Sequence, residues 1–170
     1  MSDYQHTTRE CSVRQLRPEL FQAVQGYFRE QRLGSFDAEV LMCCETLSEK
    51  KSDNELLSLL QGKPDKTIHI GMLLTSERLI WVRSGDQSGT RLNAANLKEI
   101  QVRAFSPLFS KDTGLEIYGY VEGSKSRVRG YIGMGSESVT QKFCEEVQQA
   151  IDKVRPPSEK GKWWTRLLGG

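Results

Sequence analysis

The period of the apolar positions changes twice along this chain, and the two changes divide it. After Pro18, Leu20, Val24, Tyr27 and Phe28 recur at helical spacing, and Pro18 suits a first helical turn because its missing N–H would have no partner there. The spacing predicts a helix to about Arg32, stopped at Gly34. Asp37 is placed to cap a second helix carrying Val40, Leu41, Cys44 and Leu47, and Ser52 or Asp53 a short third one with Leu56, Leu57 and Leu60. On this reading Cys43 and Cys44 are core and flank residues of a helix. Residues 1–17 show little periodicity and read as a mobile lead-in, and Gly62-Lys63-Pro64-Asp65 ends the helical region with a clear break.

From Thr67 the period drops to two, the spacing at which strand side chains return to one face. Ile68, Ile70, Met72 and Leu74 share one face, Thr75-Ser76-Glu77-Arg78 turns the chain, and Leu79-Ile80-Trp81-Val82 is apolar on both faces, as a covered strand is. Gly85-Asp86-Gln87-Ser88-Gly89 predicts a turn into a short strand near residues 90–92, and residues 93–96 read as a turn or a single helical turn. Ile100, Val102 and Ala104 then alternate with Glu99, Gln101 and Arg103, which predicts a strand with one wet face. Beyond a loop at residues 107–113, Leu115, Ile117 and Val121 face inward on one arm of a hairpin and Val128, Ile132 and Met134 on the other. A turn at residues 123–126 sets Glu122 against Arg127, Tyr120 against Arg129 and Tyr118 against Tyr131. Ser138-Val139-Thr140-Gln141 fits a capping box, and the closing helix gathers Val139, Phe143, Val147, Ala150, Ile151 and Val154 on one stripe before Arg155-Pro156-Pro157 ends it.

Composition narrows the class. With 170 residues the chain can bury a core without disulfides or metals. A charged fraction of 27% with a formal net charge of +2 lacks the basic excess of a dedicated nucleic-acid binder, so nucleic acid is not an expected partner. Cys11, Cys43, Cys44 and Cys144 form no C-x-x-C pair, and no secretory apolar stretch stands near the N-terminus, which points to reduced thiols in a cytoplasmic protein. No apolar run approaches the roughly 18 residues of a membrane span, leaving a soluble chain or one that sits on a membrane surface.

The succession of strands, the corner Leu74-Thr75-Ser76-Glu77-Arg78-Leu79 within "LLTSERLIWV", further antiparallel strands with Gly-rich turns and a single closing amphipathic helix resembles the pleckstrin-homology-like (PH-like) superfamily, in particular its bacterial PH and GRAM-type members. The resemblance covers about residues 66–155. It implies an α+β fold: a PH-like bent antiparallel β-barrel closed by the C-terminal helix, here preceded by an N-terminal helical extension that the common unit lacks. The expected organisation is a helical extension over residues 1–62, a PH-like domain over 63–155 and a basic, Trp-containing tail over 156–170.

Candidate chemistry points to binding and away from catalysis. His6 and His69 are the only histidines, no serine or cysteine nucleophile falls into place with a base and an orienting acid, and no ligand spacing brings cysteines and histidines to a metal. No cofactor is expected. His69 reads as a strand residue with a satisfied hydrogen bond, and Gly130, Gly133 and Gly135 as a strand end before a helix cap, in the wrong order for a dinucleotide fingerprint. "GSKSRVRG" places Lys125, Arg127 and Arg129 on a hairpin, as charge-assisted donors to an anion or lipid headgroup or as an internally paired, solvated face. The tail "KGKWWTRLLGG" would gather Trp163, Trp164, Leu167 and Leu168 on one helical arc beside Lys162 and Arg166, suited to a membrane interface, a partner or the chain's own domain.

The expected function is therefore a non-enzymatic PH-like recognition module that binds protein partners and, in addition, anionic membrane surfaces as a cytoplasmic or peripheral membrane protein. The alternative is a structural protein that forms a homo-oligomer through its N-terminal helices. An enzyme with a pocket between helices and barrel is a third reading.

Overall fold

The computed structural model describes residues 4–51, 64–105 and 113–155. In chain order the elements are β1 (Tyr4–Glu10), a 3-10 turn (Val13–Gln15), α1 (Pro18–Glu30), the single turn α2 (Phe36–Glu39) and β2 (Val40–Lys50). Next come β3 (Thr67–Thr75), β4 (Arg78–Gly85), β5 (Gly89–Asn96), β6 (Ile100–Phe105), β7 (Thr113–Gly119), β8 (Val128–Met134) and a helix at Ser138–Val154, here α3. β1 to β5 form one antiparallel sheet in sequence order, and β6 to β8 a second. The architecture is α+β. No ladder joins the two sheets among the described residues, so the expected closed barrel is replaced by two separate sheets with α3 packed beside them.

β3 and β4 organise the core because both of their faces are apolar. Met72, Leu74 and Leu79 point to one side, where Ile100, Leu115, Ile117, Phe143, Val147 and Ile151 meet them from the second sheet and α3. Leu73, Ile80 and Val82 point to the other, under Leu20, Val24 and Phe28 of α1. The alternation predicted from sequence thus sorts one pair of strands into two cores. Burial of each large side chain of α1 contributes about 1.5–3 kcal/mol, and Phe28 also meets Phe36 edge-on at 4.8 Å.

The corner at Thr75 is a tight hairpin turn, as expected. Thr75 Oγ1 accepts the N–H of Arg78 at 2.9 Å and that of Glu77 at 3.3 Å. The β4–β5 hairpin is held from outside its own sequence by Asp65. Its carboxylate accepts the N–H groups of Gln87 and Ser88 at 2.7 and 2.9 Å, the Ser88 hydroxyl at 2.7 Å and Arg83 Nη2 at 2.7 Å.

Several expectations are corrected. The N-terminal region is not a helical extension: α1 and the single turn α2 are helical, while residues 4–10 and 40–50 are strands of the first sheet. The lead-in is β1, paired with β2 from Tyr4–Lys50 to Glu10–Cys44. It lacks a hydrophobic period because it is an edge strand whose one buried residue, Thr8, is polar and meets Thr46 Oγ1 at 2.8 Å. Val40, Leu41, Cys44 and Leu47 lie on β2, whose residues Met42 to Ser48 are buried on both faces apart from half-buried Leu47; Leu41 is 63% exposed. Burial on both faces erases the period of two, and the remaining apolar spacing mimics a helix. Cys43 and Cys44 are therefore strand residues on opposite faces. Residues 93–96 continue β5.

In the second sheet Tyr118 faces Arg129 and Glu116 faces Tyr131, two residues from the expected register. A slip of two keeps every side chain on its expected face, so the pattern alone does not separate the two pairings. The chain leaves β7 at Gly119, where φ is +146° and a Cβ would lie 2.2 Å from Glu99 O. The residue at the cap of α3 is Glu137, and Ser138 is already helical, so no capping box forms there. The stripe itself is as read: Phe143, Val147, Ala150 and Ile151 are buried. The predicted third helix around Leu56, Leu57 and Leu60 lies outside the described residues.

Candidate functional site

β6 is the outer strand of its sheet, paired with β7 on one side and with no strand on the other among the described residues. α3 runs beside it. Between them opens a cleft of about 560 Å³, lined by Val102 and Ala104 of β6, by Thr113 and Gly114 of the neighbouring β7, and by Thr140, Cys144, Glu145 and Gln148 of α3. Such a volume lies within the range of ligand sites.

Thr140 is 6% exposed, and its Oγ1 is the one buried side-chain polar atom among the described residues that has no hydrogen-bond partner. A buried hydroxyl left unpaired costs about 1–3 kcal/mol. Thr140 lines the cleft with its unpaired hydroxyl behind the accessible surface, so a group that enters reaches it once the wall side chains shift. Burial, then the charge of Glu145, push the Cys144 thiol up to about 11, so it stays protonated and is no nucleophile at neutral pH. Glu137 and Glu145 supply negative charge, and neither a histidine nor a basic side chain lines the cleft among the described residues. Glu137 is anchored by accepting the Thr8 N–H at 3.2 Å, and Glu145 by accepting Gln141 Nε2 at 2.8 Å. The arrangement suits binding of a neutral or basic, partly apolar group.

A second polar cluster lies on the other side of the first sheet. Glu45, 5% exposed, meets Arg9 Nη2 at 2.6 Å, and its Oε1 lies 3.7 Å from His69 Nδ1. Arg17 Nη1 lies 2.9 Å from His69 Nε2. A guanidinium only donates, so Nε2 accepts and the ring proton sits on Nδ1, toward Glu45. His69 is thus the satisfied strand histidine that its setting in the sequence suggests. Burial first, then the charge of Arg17, lower its pKa from 6.5. The unfolded chain therefore binds more protons below about 6.5, and the stability tied to the neutral ring is complete above that value and declines beneath it. Thermal unfolding followed from pH 7.5 down to 5.5 is expected to show a falling midpoint, with a shallower fall in His69→Asn; equal slopes would remove His69 as the cause. His6, on β1, is not in a mobile segment: its Nδ1 lies 2.7 Å from Ser48 Oγ, and its ring packs where a Cβ on Gly133 would stand.

The sequence-derived anion site is present as a surface but its arginines have protein partners. Lys125 is exposed in the β7–β8 connection. Arg127 lies 5.6 Å over the Tyr120 ring and also engages Tyr118, while Arg129 Nε donates to Glu116. Glu122, expected to face Arg127, instead accepts the Tyr27 hydroxyl at 2.9 Å and Arg78 Nε at 3.3 Å. Burial, then the bond to Glu122, raise the Tyr27 pKa, so the phenol remains the donor. The tail residues Lys162, Trp163, Trp164, Arg166, Leu167 and Leu168 lie outside the described residues.

Sequence reasoning missed the cleft. Its signal was present in part, because Thr140 and Cys144 stand four apart beside the apolar stripe of α3, but that β6 has no second strand partner among the described residues belongs to the assembled sheet. Among the described residues no group of three or more His, Cys, Asp or Glu is placed to hold a metal ion, and no helix is long and apolar enough to cross a membrane. Comparison of the chain with protein-family models, curated proteins and solved structures finds no match.

Proposed function

We propose that the protein is a non-enzymatic recognition module that binds an extended, basic and partly apolar segment of a protein partner between β6 and α3. The observation that carries this reading is the unpartnered Thr140 hydroxyl, buried in the wall of a cleft beside a strand edge with no neighbour among the described residues. An extended segment added to a free edge forms main-chain hydrogen bonds while its alternate side chains enter the adjoining groove. The apolar wall from Val102 and Ala104 takes such side chains, and Glu137 and Glu145 favour a basic one. The element order, antiparallel strands in two sheets followed by one helix, supports a PH-like relationship in which β1 and α1 are additions. The partners of Arg127 and Arg129 weigh against the hairpin as the main anion site. α1 lays its apolar face on its own sheet, which weighs against assembly through that helix.

The test is selection of a random decapeptide display library on the full chain, with amide shifts mapping the binding site. Enriched peptides carrying Lys or Arg between apolar residues, with shifts at residues 101–104 and 140–148, are expected. Thr140→Val, which replaces the unpaired hydroxyl by a methyl group, should raise stability by about 1 kcal/mol and lower peptide affinity several-fold. No enrichment, or shifts confined to the β7–β8 hairpin, would overturn the reading.

A further inference from the structure

We propose that Cys11 and Cys43 form a dithiol oxidation site, which closes a disulfide between the end of β1 and β2 when a peroxide is the oxidant. The β1–β2 ladder ends at the pair Glu10–Cys44, so the next directly opposed pair is Cys11 and Cys43. Cys11 N–H donates to Cys43 O at 3.1 Å, and the two Sγ atoms stand 3.9 Å apart. Opposed residues of an antiparallel pair have Cα atoms about 4.5–5.5 Å apart, inside the roughly 4.4–6.8 Å that a disulfide spans. Closure therefore needs side-chain rotation with little backbone movement.

The strand pattern makes the pair selective. Cys44, one residue on, points to the opposite face and packs in the core between the sheets together with Cys144, while Cys43 packs beneath α1 with Cys11 against the same cluster. Cys11 is the only one of the four cysteines that is not buried. The hydrogen bond from Cys43 first, and then the Arg9 guanidinium, favour the Cys11 thiolate over its own burial, whereas the same bond and burial hold Cys43 as the thiol. Cys11 is accordingly the attacking sulfur and Cys43 the resolving one.

The Cys11 thiolate attacks one oxygen of hydrogen peroxide, the O–O bond breaks, and the departing hydroxide takes a proton to become water, leaving Cys11 as the sulfenic acid. Cys43 loses its S–H proton and attacks the Cys11 sulfur, the S–O bond breaks, and the hydroxyl leaves as water with that proton as the S–S bond forms. In sum two thiols and one peroxide give one disulfide and two waters. The bond fastens β1, which is the outermost strand of its sheet, to β2.

The test uses the full chain, reduced, freed of reductant, treated with hydrogen peroxide, alkylated and mapped by mass spectrometry without reduction. The expected result is an intact mass lower by two hydrogens, two alkylated thiols in place of four, and one crosslinked peptide pair joining the segments that contain Cys11 and Cys43. Cys11→Ser and Cys43→Ser should abolish the crosslink and Cys44→Ser retain it. Full alkylation of all four thiols, a crosslink only between two chains, or a crosslink through Cys44 would each overturn the proposal, and the wild-type map decides these even if a Cys43 variant fails to fold.

Discussion

Phe143→Ala is expected to destabilise the protein by about 3–5 kcal/mol, read as a lower midpoint in urea unfolding. Phe143 is fully buried in the cluster where α3 meets both sheets, among residues that include Leu74, Leu79, Ile100 and Leu115. Removing the ring takes apolar surface out of the core shared by α3 and both sheets, and the strands around it are paired and cannot collapse into the space. Lys142→Ala, one residue away, gives the comparison. Its ammonium pairs with Glu10 at 2.9 Å, but both side chains are more than half exposed, and a surface pair contributes about 0–1 kcal/mol. A similar effect of the two substitutions would contradict the placement of α3 as the element that joins the sheets.

Asp65→Ala is expected to cost about 3 kcal/mol, because hydrogen bonds to a charged group are worth about 1.5–3 kcal/mol each and the loop and Arg83 lose the one buried carboxylate that gathers them. Burial alone raises the pKa of this carboxyl, but the bonds from Ser88 and from the Gln87 and Ser88 N–H groups, with the charge of Arg83, outweigh it and hold it below its ordinary value of 3.8. The group binds fewer protons folded than unfolded, so its stabilisation is present above about 3.8 and is lost as pH falls through and below that value. Asp65→Asn keeps an acceptor and should cost less. Amide exchange resolves the mechanism: the Gln87 and Ser88 N–H groups should exchange faster in Asp65→Ala while those in the middle of β3 keep their rank. An unchanged loop would remove Asp65 as its anchor.

The two predictions differ in how far sequence reached them. Phe143 stands on the apolar stripe of α3 and is readable as core from spacing alone. Asp65 reads as part of a break, with Gly62, Lys63 and Pro64. Its role depends on a hairpin loop 22 residues further on, and no local pattern records that contact. The same distinction runs through the candidate site. Thr140 can be placed on α3 from sequence, but its lack of a partner depends on what surrounds it, and the position of β6 at the side of its sheet among the described residues depends on which strands pair. The basic residues Arg127 and Arg129 are visible as charge, yet Tyr120, Tyr118 and Glu116, which engage them, take other partners in a hairpin register two residues away.

By itself the sequence determined the elements with a strong local pattern: α1 and α3 with one apolar stripe each, β3 with its alternating apolar face, the hairpin turn at Thr75, and the apolar run of β4. These arise from helix and strand geometry acting over a few residues. Only the tertiary structure decided that residues 4–10 and 40–50 join the sheet, that the two sheets stay separate, that Cys11 meets Cys43, and that a cleft lies open along β6. The reason is that strand pairing satisfies backbone groups across long stretches of chain. A polar edge strand and a strand covered on both faces can both take part in it without any hydrophobic period to announce them.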